Sequence, residues 1–166
     1  SVETKGKYTS LLIDLAPKGG NGLHSHRTFD EVFTVRKGRL GLRLGKETFM
    51  LEEGETVRVK AGDLHCFFNP SESESVEFHV LIDPGNTGME IGIQVAYGLA
   101  RDGRTTNDAA PKNLYHMALL LHWTDINVPG FFSVIAPILG WLRQRAVKKG
   151  IDRELIRQYC HFTEQD

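Results

Sequence analysis

With 166 residues and a formal net charge of −1, the chain can bury a core unaided but has no basic surplus of the kind that attracts nucleic acid. No apolar run reaches the roughly 18 residues that a bilayer span needs. The two cysteines, Cys66 and Cys160, suggest no disulfide framework and fit a reducing cytoplasm. The chain starts Ser1-Val2, without methionine, so nothing follows about a preceding signal or domain.

Short alternating apolar runs broken by Gly, Pro, Asn and Asp fill residues 7 to 83. Strands are predicted over 8–15, 23–26, 31–36, 40–44, 48–51, 56–59, 65–69 and 76–82, and the polar stretch 71–75 reads as a hairpin loop. Turn signals at this spacing indicate an all-β sandwich or barrel. Past Asp83-Pro84-Gly85-Asn86 the period changes to a helical one, with Met89, Ile93, Ala96 and Ala100 on one face. Further helices are predicted over 114–123, 131–149 and 153–160, with Gly150 stopping the third and Asp152 capping the fourth. The chain thus divides into a barrel over 1–86 and a helical extension over 87–166.

The segment 131–142 is apolar almost all round, which calls for burial. Pro137 would kink it, and Arg143, Arg145, Lys148 and Lys149 follow at once. That order suits a membrane surface, but packing on the barrel or against a second subunit is the expected arrangement.

The chemistry-bearing residues lie in the strand region. On a strand, residues two apart share a face, so His24 and His26 project together. The connection 27–30 can bring Glu31 back on the neighbouring strand, and His65 opens another strand. A lone His-x-His is more often a surface pair. Three imidazoles and a carboxylate, however, form a ligand set that suits Fe, Mn, Ni, Co, Cu or Zn better than Ca or Mg. A six-coordinate ion would keep two positions open for substrate, water or dioxygen.

These residues belong to two longer patterns. His24, His26, Glu31 and Gly38 fit HxH-x4-E-x6-G, and Gly54, Lys60, Gly62, His65 and Asn69 fit G-x5-(P)-x-G-x2-H-x3-N. Both resemble the signature motifs of the cupin superfamily, in its compact bacterial form, over roughly residues 8–83. Two departures stand out: Lys60 replaces the usual proline, and Gly19 lies one place off the first motif's opening glycine. The resemblance implies a mainly β fold, a double-stranded β-helix or jelly-roll barrel, here followed by an α-helical extension. It also implies one metal ion held by His24, His26, Glu31 and His65, and frequent homodimers.

By parity Phe33 and Val35 share the face of Glu31, and Phe67 and Asn69 that of His65. These either line a substrate pocket or fill the barrel. Tyr8 is placed near the pocket mouth, and Arg43 is the candidate anion clamp among outward-facing Arg36, Arg39, Arg43 and Arg58. His79 and Cys66 should face away from the metal, and His116, His122 and His161 are read as structural or exposed. The expected activity is that of a metal-dependent, Fe-type dioxygenase acting on a small organic molecule, with Glu31 also able to serve as a base. A decarboxylase or isomerase would use the same ligands. A non-catalytic module binding metal or a small molecule is the alternative from a different class.

Overall fold

The computed structural model describes residues 4–106 and 109–161, without the side chains of 131–133. Seven strands precede four helices: β1 (Thr9–Leu15), β2 (Asp30–Lys37), β3 (Leu40–Leu44), β4 (Glu47–Leu51), β5 (Thr56–Val59), β6 (His65–Phe68), β7 (Val76–Asp83), α1 (Thr87–Arg101), α2 (Leu114–Trp123), α3 (Phe131–Lys148) and α4 (Ile151–Tyr159). The chain forms two compact units. One comprises 1–87 together with Asn127–Pro129, and the other comprises 88–126 and 130–166.

The first unit is a two-sheet barrel, antiparallel throughout. One sheet has the order β1-β7-β2-β5 and the other β4-β3-β6. Period-two patterning decides which side chains point in. On β7, Val76, Phe78, Val80 and Ile82 are buried, and on β2 so are Glu31, Phe33 and Val35. Leu40, Leu42, Val59 and His65 complete the interior. Rings from both sheets meet there: Phe33 lies 6.0 Å from Phe67 and 6.2 Å from Phe78. The predicted strand at 23–26 reduces to isolated pairings of His24 with His65 and of Ser25 with Asn127.

Two motif glycines have a backbone reason. Gly38, at φ +82°, turns β2 into β3, and Gly62, at φ +90°, turns the loop that delivers His65. Any side chain with a Cβ is disfavoured at such angles. Lys60 makes use of the N–H that proline would lack, donating to Asp63 Oδ2 at 3.3 Å, while Asp63 N–H donates back to Lys60 O at 3.0 Å. The loop is thus fixed by a carboxylate instead of a ring.

The helical unit has its own core of Val95, Leu99, Leu119, Ala146, Leu155 and Tyr159. Asn113 caps α2 by accepting from the N–H of Tyr115. The cap expected of Asp152 is not made. Gly150, left-handed at φ +74°, precedes α4, and Asp152 sits inside the first turn. Within the single chain the segment 134–142 is only partly covered: Ile135, Leu139 and Leu142 are half-buried, and the side chains of 131–133 lie outside the described residues. Val134 is 75%, Ile138 58% and Trp141 53% exposed. Among the described residues, α3 gives the core of this unit a single buried residue, Ala146, near its C-terminal end.

Candidate metal centre

Three imidazoles and one carboxylate converge inside the barrel. His24, His26, Glu31 and His65 are all buried, and one ligand atom from each lies within 4.8 Å of all the others. His24 Nε2 is 3.1 Å from His26 Nε2, His65 Nε2 is 2.7 Å from Glu31 Oε2, and His26 Nε2 is 3.5 Å from Glu31 Oε2. Two donors bonded to one ion at about 2.1 Å stand about 3.0 Å apart at a right angle and about 3.4 Å apart at the tetrahedral angle. The His24–His26 and His26–Glu31 separations match those of neighbouring ligands around a single ion, and His65–Glu31 stands at hydrogen-bond distance. Its nitrogen-rich donors suit a first-row transition metal.

Local structure aims these atoms. His24 Nδ1 lies 2.8 Å from Gly22 O, and His65 Nδ1 lies 3.0 Å from Asp63 O. A carbonyl only accepts, so both Nδ1 atoms carry a proton; His24 Nε2 is then free to present a lone pair to the centre, while His65 Nε2 donates to Glu31 Oε2 and presents a lone pair only once that proton leaves. The segment carrying His24 and His26 is paired on both edges. His24 and His65 exchange backbone bonds of 2.9 and 2.8 Å, Ser25 and Asn127 exchange bonds of 3.0 and 2.9 Å, and Gly62 N–H donates to His26 O at 2.6 Å.

Electrostatics follow from burial and proximity. Burial, with the neighbouring His65, lowers the pKa of His24 to about 4, so its ring is neutral at ordinary pH. Burial opposes ionisation of Glu31, but the hydrogen bond from His65 and the three nearby imidazoles outweigh it and hold the carboxyl below its usual range. His65 shows the converse: burial works against its charge, yet the bonds to Glu31 and to the Asp63 carbonyl raise its pKa. The site is an anion among imidazoles, which is where a divalent cation is favoured.

The residues picked out around this centre fare differently. Phe33 and Val35 are each 1% exposed and pack in the barrel interior, so neither is presented to solvent in an open pocket. Phe67 is partly buried, 5.2 Å from the Phe78 ring. Asn69 is a structural clasp and not a substrate contact. Its Nδ2 donates to Leu15 O, Ala16 O and Glu74 O, and its Oδ1 accepts from Ser71 N–H. Arg43 is no anion clamp at the metal. It pairs with Cys66, one residue out of phase with His65, is exposed, and donates to Gly45 O. Tyr8 is exposed, on the outward side of β1 with Ser10, Leu12 and Asp14. His79 faces outward as expected, 2.6 Å from Ser10 Oγ.

Three contributors escaped sequence reasoning. Phe29 is buried and stacks on His26 at 4.6 Å. Asp30 accepts from Ala61 N–H and from Arg58, both at 2.8 Å, and so ties the start of β2 to the loop before His65. Asn127 lies 102 residues from the Ser25 it pairs with. Only Asp30, an acidic residue beside the ligand Glu31, left any trace in the sequence, and that trace read as part of a turn.

A scan against known families matches residues 11–82 to the cupin domain. The barrel is a cupin domain. Among curated proteins no match to the chain was found. Solved structures resembling this cupin barrel include a Bacillus halodurans protein at 16% identity, with a TM-score of 0.46, covering 49% of this chain and 65% of that one. A cupin-2 domain protein from Shewanella frigidimarina is 26% identical, with a TM-score of 0.41, covering 47% and 71%. A predicted oxalate decarboxylase from Thermotoga maritima is 19% identical, with a TM-score of 0.47, covering 50% and 72%. The chain spans just under two thirds of the first of these, and about half of this chain lies outside each match. The cupin domain holds a buried His/Glu cluster able to bind a metal ion.

Proposed function

We propose that this cupin binds one divalent transition-metal ion through His24, His26, Glu31 and His65 and acts there on a small organic substrate as a dioxygenase. The observation carrying this reading is the convergence of four buried donors within 4.8 Å, two of them with the ring held through Nδ1–H by a backbone carbonyl. When bound, an Fe-type ion supplies a Lewis acid and a redox-active centre with positions left for substrate and dioxygen. The side chains do the rest. His24 and His65 hold their rings through Nδ1–H, Phe29 stacks on His26, and Phe33 closes the interior beside His65 at 6.2 Å. Glu31 Oε2 is the anionic oxygen of the cluster and the atom that can accept a substrate proton. A dioxygenation that places both oxygen atoms in one substrate, with that substrate supplying all four electrons, needs no separate reductant.

A second reading is favoured by one observation. Phe33, Val35 and Phe78 leave the interior close-packed, which suits a barrel that binds metal without turnover. Metal analysis of the purified protein beside a His65→Ala variant tests the shared premise. Near-stoichiometric metal, lost in the variant, supports the site, and an empty wild-type protein after incubation with Fe, Mn, Ni, Cu and Zn removes it. Oxygen uptake by the Fe-loaded protein with panels of small organic substrates then separates the two readings.

A further inference from the structure

The helical unit carries a surface that the metal centre does not use. On α3, Val134, Ile138, Trp141, Arg145 and Lys148 follow one another at intervals of four, three, four and three, so they form one stripe along the helix. All five are exposed. The first three are large and apolar, and the last two are cations. Beside the basic end an open groove of about 350 Å³ is lined by Trp141, Gln144, Arg145, Lys148 and Lys149. The Arg145 guanidinium lies 4.9 Å from the Trp141 ring centre, so the aromatic and the charge act as one feature.

We propose that this face of α3 docks on the surface of an anionic phospholipid bilayer. Charge is the deciding argument. From 130 to 151 the sequence holds Arg143, Arg145, Lys148 and Lys149 and no acidic residue. Two copies meeting through this stripe would bring cations together if parallel, and would set them against the apolar Val134 and Ile138 if antiparallel, with no carboxylate of the stripe to meet them either way. A phosphate-rich interface matches both halves: Val134, Ile138 and Trp141 enter the acyl boundary, and Arg145, Lys148 and Lys149 meet headgroup phosphates. No helix among the described residues is long and apolar enough to cross a membrane, so α3 lies on the surface instead of spanning it.

The test is co-sedimentation of the full chain with vesicles of phosphatidylcholine alone and of phosphatidylcholine mixed with phosphatidylglycerol. Binding to the anionic vesicles is expected at low salt, with release as salt is raised. Arg145→Gln with Lys148→Gln should weaken partitioning by about 30-fold, from two surface charges. Ile138→Asn with Trp141→Ser should abolish it while helicity and metal content persist. A full chain that stays in the supernatant with anionic vesicles at low salt overturns the proposal. So does a dimer in solution that Ile138→Asn with Trp141→Ser splits while vesicle binding is absent, which would assign the face to a second copy.

Discussion

The barrel unit and the helical unit satisfy their side chains to different degrees. In the barrel the buried polar residues Thr9, His24, Glu31, His65 and Asn69 all have hydrogen-bond partners. In the helical unit three buried polar atoms have none among the described residues: His116 Nδ1, Arg143 Nε and Asp152 Oδ1. The same unit exposes Val134, Ile138 and Trp141. Unpaired buried polar atoms and exposed apolar groups both cost stability. In the barrel the buried polar residues around the His/Glu cluster are committed to named partners, which holds that cluster in one arrangement. The helical unit leaves three buried polar atoms unpartnered and three large apolar side chains exposed.

Single substitutions can break this comparison. The largest effect is expected from His24→Ala, which should lower metal affinity by more than about 100-fold, beyond the range for residues that only support a ligand. Metal titration checks it, and far-ultraviolet helicity should stay unchanged. Next, Phe33→Ala opens a cavity beside His65 and should cost about 3–5 kcal/mol in urea unfolding. Ile138→Ala on the exposed stripe should stay within about 0.5 kcal/mol. If the two cost the same, the contrast between the units is wrong. Asp30→Asn sharpens the barrel side. It weakens the tie to Ala61 and Arg58 without touching a ligand, and metal affinity should fall by about tenfold.

The smallest effect concerns acid. Burial, and secondarily Arg104, lower the pKa of His116 despite the opposing charge of Glu154. On acidification below pH 6.5 the unfolded chain takes up a proton that the folded one refuses, so stability falls as pH drops and is regained as it rises. Chemical unfolding followed across that range should show the loss in the wild type. His116→Leu, which also removes the unpartnered Nδ1, should reduce the loss and leave the part that His24 contributes.

The candidate metal cluster was legible because ligation demands particular residue types at fixed parity and spacing, and His24, His26, Glu31 and His65 meet that demand locally. The strands were legible for a similar reason: period-two patterning survives on β2 and β7. Arg43 and Asn69 misled. Arg43 falls on the alternate face of β3, and Asn69 has the parity of His65 but spends its amide on the carbonyls of Leu15, Ala16 and Glu74. Both outcomes depend on pairings across the sheet that single-strand periodicity does not record. Phe29 and Asn127 were invisible because stacking on His26 and pairing with Ser25 require the assembled fold. The helix over 131–148 was legible as a helix, but hydropathy tells only that such a segment wants cover, not what supplies it.

The doubly edged segment around Ser25 bears on the order of synthesis. Its outer partner is residue 127, so a ribosome must pass α1 and α2 before the seat of His24 and His26 is complete. A nascent chain ending near residue 87 has all seven strands yet lacks that edge. Ser25 then loses two backbone bonds, each worth about 1 kcal/mol. The gene therefore finishes writing the barrel strands before it finishes writing the frame around His24 and His26.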